Sequence, residues 1–149
     1  MKHYRRSSSL ILMGVLLFLL AAAANFGTMV TGGPAGIAGF IFSLLFACAL
    51  VALPLLAKGG KGVLKFSMGG TGLLAVASII GLLKYSDKIA SDYVIPIIVI
   101  PLTSLYGLTY VIPFRLLYYT LIVFSLFCSA MAAFLLFKAR QANDDSKEI

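Results

Sequence analysis

Four runs of about twenty residues, charged only at their ends, constrain this chain more than any other feature. They lie at 10–30, 35–56, 63–83 and 115–137. A helix rises 1.5 Å per residue, so about 20 apolar residues cross the roughly 30 Å hydrocarbon core of a bilayer. Of the 149 residues, 61% are hydrophobic and only 11% charged, too little polar surface to cover this much apolar material in water. The expectation is an all-α integral membrane protein with four transmembrane helices in an antiparallel bundle. The chain forms one membrane domain over 1–149, and its polar tail, 138–149, is expected to fray.

The first run follows Lys2, Arg5 and Arg6, and Ser7-Ser8-Ser9 offers it a helix N-cap. The same residues fit a signal peptide, with an h-region at 10–20 and small residues at 21–24. Phe26, Met29 and Val30 continue the run past the alanines, which suits an uncleaved anchor better. After Thr31-Gly32-Gly33, Pro34 is placed to open the second helix at its first position, and Pro54 to kink its last turn.

Small residues recur four apart at Gly32 and Gly36, again at Gly39, Ser43 and Ala47, and at Ala77 and Gly81. That spacing lets helix backbones approach closely in lipid, as do the glycines Gly69, Gly70 and Gly72 of the third run. These residues are the expected helix-packing positions. A break at SMGGTG, exposing backbone carbonyls to a cavity, is the alternative reading of the third run. Between the second and third runs, KGGKGVLK carries Lys58, Lys61 and Lys65. It lacks the spacing of a phosphate-binding loop, so its lysines are expected to meet lipid headgroups.

A fifth apolar stretch, VIPIIVIPLTSLYGLTYVIP at 94–113, decides the topology. If it lies outside, nine of the twelve Lys and Arg lie inside: Lys2, Arg5, Arg6, Lys58, Lys61, Lys65, Lys138, Arg140 and Lys147. Lys84, Lys88 and Arg115 remain outside. A fifth crossing lowers the ratio to seven against five and places Lys138 and Arg140 on the wrong side of the last run. It would also have to reverse through Pro113-Phe114-Arg115 almost without a loop. Six of the seven tyrosines fall between 85 and 119, and tyrosine favours the headgroup level. Four spans follow, with both termini cytoplasmic and KYSDKIASD, 84–92, as an outer loop.

The prolines then divide the outer segment, 94–112. Pro96 and Pro101 disturb any helix running through them, while Pro101 suits the first turn of a new one. A helix over 101–112 would place Leu102, Leu105, Leu108 and Ile112 on one face. Thr103, Tyr106, Gly107 and Tyr110 would form the other, a candidate face for a partner or solute. The segment is thus expected to be re-entrant or an interfacial helix.

Within the spans no Asp, Glu, Lys, Arg or His lies away from the ends. Coupled transport and intramembrane proteolysis usually need such a group at depth, so no enzyme activity is expected. The polar residues there are Ser43, Thr71, Ser78, Thr120, Ser125, Ser129 and, near an end, Asn25. Cys48 and Cys128 lack a CxxC partner and His3 stands alone, so no metal or cofactor site is expected. The two cysteines fall at similar depths and are read as small core residues, a disulfide being the alternative. The net charge of +7 is accounted for by lysines and arginines flanking the spans, and nucleic acid is not an expected partner.

The functional expectation is a small non-catalytic accessory or interaction subunit of a larger membrane complex. Its partners would be membrane lipids and either a membrane protein or further copies of itself. An oligomeric permease or pore for a small neutral solute is the alternative, and protection against a membrane-active peptide a further one. The expected location is a plasma membrane, multi-pass, of the bacterial inner-membrane kind.

Overall fold

The computed structural model describes residues 2–31, 33–57, 60–85 and 100–145. Every regular element among them is helical: α1 (Lys2–Thr31), α2 (Ile37–Leu56), α3 (Lys61–Tyr85), a 3-10 helix (Tyr106–Tyr110) and α4 (Phe114–Asp145). Four helical stretches are long and apolar enough to cross a membrane: Ser7–Thr31, Ile37–Leu56, Lys61–Lys84 and Phe114–Gln141. Each falls on one of the four runs read from the sequence, the second starting two residues inside its run.

Three helix ends differ from expectation, and the alternative of a broken third helix is decided. α1 begins at Lys2, so Ser7, Ser8 and Ser9 lie within the helix and none caps it. α2 begins at Ile37 with Gly36 as its N-cap, which leaves Pro34 outside the helix. α3 runs unbroken through Ser67–Gly72, so SMGGTG is helix and its amides stay paired. α4 continues to Asp145 where a frayed tail was expected, through Lys138, Ala139, Arg140 and Gln141, all good helix formers.

The most extensive contact joins α3 to α4, and the next joins α1 to α2. Gly81 faces Tyr118, Thr71 bonds Ser129, and Leu64 clusters with Leu136, so α3 and α4 run antiparallel. The main core gathers Ala21 of α1, Phe46 and Leu50 of α2, Leu74 of α3 and Leu121 of α4 around Leu105. A second cluster, Leu53, Ala57, Val63, Leu64 and Leu136, closes the end where α2 turns into α3.

The expected helix over 101–112 is replaced by a short helical turn at 100–103, a bend and the 3-10 helix. Its amides reach back three residues, Leu105 N to Leu102 O and Leu108 N to Leu105 O. The amide of Gly107 leaves the helical pattern and donates to Ser43 Oγ of α2 at 3.1 Å. A partner on another helix outcompetes the local ladder here. Residues 86–99, including Pro96 and most of VIPIIVI, lie outside the described residues.

Candidate functional site

Segment 100–110 is held between α1 and α2 by a chain of hydrogen bonds that starts from one asparagine. Asn25 lies six residues before the end of α1 at Thr31, and Ser43 six residues after the start of α2 at Ile37. Both therefore sit about 9 Å in from that end of their helices. Asn25 Nδ2 donates to Ala21 O at 2.7 Å and to Ser43 Oγ at 3.0 Å. Ser43 Oγ in turn donates to Ser104 O at 2.8 Å and accepts from Gly107 N. One serine hydroxyl thus ties α1, α2 and the connecting segment together, and it is fully buried.

Two glycines make this approach possible. A Cβ at Gly39 would run into Asn25 Oδ1, and one at Gly107 would run into the Gly39 carbonyl. The clasp therefore requires glycine on both sides of the contact. Asn25 Oδ1 is buried without a hydrogen-bond partner among the described residues and lies against the Gly39 backbone.

Around the clasp one aromatic hydroxyl, that of Tyr106, also points inward. Tyr106 donates its phenol proton to Gly33 O at 2.9 Å, fastening the turn between α1 and α2. Burial pushes the Tyr106 phenol up from its ordinary value, so it remains a donor. Gly33 N closes α1 by bonding Thr28 O at 2.9 Å, the longer bond of a Schellman-type ending. Thr103 Oγ1 lies 3.0 Å from Met29 Sδ. Phe114 stacks edge-on to both Tyr106 and Tyr118, with ring centroids 5.8 Å and 5.2 Å away.

The hydroxyl face singled out in the sequence is thus divided. Thr103, Tyr106 and Gly107 are buried against α1 and α2, while Tyr110 is 52% exposed and packs beside Phe40. The small residues divide as well. Gly39 and Ser43 belong to the clasp, Ala77 is buried, and Gly81 lies where a Cβ would strike the Tyr118 ring. Ala47 is half-buried beside the core. Gly36, Gly69, Gly70 and Gly72 have nothing within 4 Å of where a Cβ would stand. Lys61 and Lys65 are exposed in the first turns of α3, and Gly32 and Lys58 lie outside the described residues. Both cysteines are free, Cys48 exposed and Cys128 buried.

Below the clasp lies an apolar cavity of about 380 Å³ between α1, α2 and α3. Phe18, Phe46, Leu50 and Leu53 wall it on one side, Phe66 and Leu74 on the other, and Pro101 and Ser104 roof it. Gly70 lines this cavity, but neither Tyr106 nor Tyr110 does. The sequence reading passed over Ser104 and Gly14, met Ser67 only as the first residue of SMGGTG, and noted Asn25 only as a polar residue near an end. The usable signal was the single amide side chain in an apolar run, opposite a Gly-xxx-Ser pair on the next helix. Comparison of the chain with protein-family models, curated proteins and solved structures finds no match.

Proposed function

We propose that this chain is a small non-catalytic integral membrane protein that acts as an interaction subunit of a larger membrane assembly. In this reading four helices cross a plasma membrane as an antiparallel bundle, with both termini cytoplasmic. Segment 94–112 returns to the outer side without crossing, and lysines 58, 61 and 65 meet the inner headgroups.

One observation carries the reading: Gly62, Gly69 and Gly72 of α3 meet nothing within 4 Å of where a Cβ would stand. At 100° per residue they share a face of α3 with Lys65 and Val76, which are both exposed. Each glycine costs a helix about 1 kcal/mol relative to alanine, and no contact among the described residues offsets it. In lipid such a face gains by letting another backbone approach closely. The contact that repays these glycines then belongs to a helix of another chain, a partner protein or a second copy.

Copurification from native membranes in a mild detergent tests the reading. Gly69→Leu should strip the partner from the complex while the chain itself stays folded. A protein that migrates alone, with or without the substitution, would count against an interaction role.

A further inference from the structure

The cavity between α1, α2 and α3 has a character that the partner face does not explain. Its rim is formed by exposed Leu19 of α1, exposed Phe66 and Leu73 of α3, and exposed Ile100. It therefore opens sideways, between the two helices whose mutual contact is far smaller than that of α1 with α2 or α3 with α4. On helices of membrane-spanning length, that mouth faces hydrocarbon and not water. An apolar cavity of about 150 Å³ already accepts a benzene molecule, and this one is about 380 Å³.

One polar group in the wall lacks a partner. Ser67 is 3% exposed, and its Oγ has no hydrogen-bond partner among the described residues. Ser78 and Ser125 behave differently, each donating to the carbonyl four residues back. Ser67 lies six residues into α3, about 9 Å from its first residue, in a helix about 37 Å long. That depth is a few ångströms inside the edge of a roughly 30 Å hydrocarbon core, next to the level of the lipid esters.

The wall also leaves a place for the occupant. Gly70 is on the cavity, and a Cβ there would meet nothing within 4 Å. Opposite it Gly14 keeps the α1 wall flat, since a Cβ there would stand 2.8 Å from Leu53 Cδ1. Gly70 thus faces a different neighbour from Gly62, Gly69 and Gly72 of the same helix.

We infer that this cavity is a binding site for one acyl chain of a glycerophospholipid. The chain enters between α1 and α3, its ester carbonyl accepts from Ser67 Oγ, and its methylenes run past Gly70 toward Pro101 and Ser104.

The test uses the full-length protein in phosphatidylcholine vesicles doped with phosphatidylcholine that carries a photoactivatable diazirine on one acyl chain. After illumination, labelled peptides are mapped by mass spectrometry. Label is expected to concentrate on residues 14–19 and 66–74, above the level at the exposed α4 positions Val123 and Phe127. Gly70→Leu should fill the cavity and cut that label severalfold, with α4 labelling and the melting temperature maintained. If Gly70→Leu does not fold, Gly70→Ala takes its place and should give a smaller drop. Ser67→Ala should weaken labelling by the ester lipid and spare labelling by a diazirine alkane. Even labelling of all faces, unaffected by substitution at Gly70, would overturn the inference. So would an unlabelled cavity whose cross-links run to residues 94–99, because the chain would then fill its own cavity. Equal loss of both probes in Ser67→Ala would remove the ester contact.

Discussion

The two main helix contacts of this protein are built in different ways. α3 and α4 meet along most of their length through apolar side chains, with one hydroxyl pair, Thr71 and Ser129, 2.6 Å apart. α1 and α2 meet directly, with Asn25 bonded to Ser43, and segment 100–110 docks on α2 by backbones in near contact and by the same serine, which bonds three partners. In lipid the difference has consequences, because hydrocarbon solvates an apolar face about as well as another helix does. Close packing and polar bonds then decide which surfaces stay together. The α3–α4 contact can lose a side chain and keep many others. The clasp depends on a few atoms, and each is hard to replace.

Substitutions should expose this contrast, and the largest effect is expected at Gly107. Gly107→Ala drives a Cβ into the Gly39 carbonyl, where backbone must yield, and overpacking of this kind costs about 3 kcal/mol. Reversible unfolding in mixed micelles would measure it, and a cost below that of Gly81→Ala would break the comparison. Ser43→Ala comes next. It leaves the Gly107 amide and the Ser104 carbonyl unpaired in a buried site, a loss of about 2 kcal/mol.

In the other contact the effects should be smaller. Gly81→Ala meets the Tyr118 ring, a side chain where Gly107→Ala meets backbone, so about 1 kcal/mol is expected. Tyr118→Leu should abolish most of that penalty. The smallest effect belongs to the Thr71–Ser129 pair. A double-mutant cycle to alanine should give a coupling near 0.6 kcal/mol, typical of hydroxyl pairs between membrane helices. A coupling above that of the Ser43 contacts would invert the account.

How much of this was legible in the sequence depends on which physical rule each residue obeys. The four spanning helices follow from length and apolarity, and the structure has a helix over each run. Their ends were less legible, since Pro34 and Ser7 each suit a helix start that the tertiary structure did not use. Segment 101–112 was harder. Its pattern placed Thr103, Tyr106 and Gly107 on a polar face, which was read as open to a partner or solute. Near a membrane the acceptors for Tyr106 and Thr103 are Gly33 O and Met29 Sδ, inside the protein, so polar faces inward. The small-residue spacing was visible at Gly39–Ser43 and at Gly69–Gly72 alike. Spacing alone does not say whether the approaching backbone is in the same chain. The cavity was signalled only at SMGGTG, whose Ser67 and Gly70 line it although the helix there is unbroken.

The most direct test of the account asks whether segment 100–110 returns to the side it came from. Leu105→Cys and Tyr110→Cys are introduced in a background free of Cys48 and Cys128, with an epitope on the tail. Intact cells are treated with a membrane-impermeant maleimide and, separately, with external protease. Tyr110→Cys is predicted to react, the fully buried Leu105→Cys to stay protected, and the tail epitope to survive. An unreactive Tyr110→Cys together with a tail epitope digested from outside would make the segment a fifth span and contradict the account.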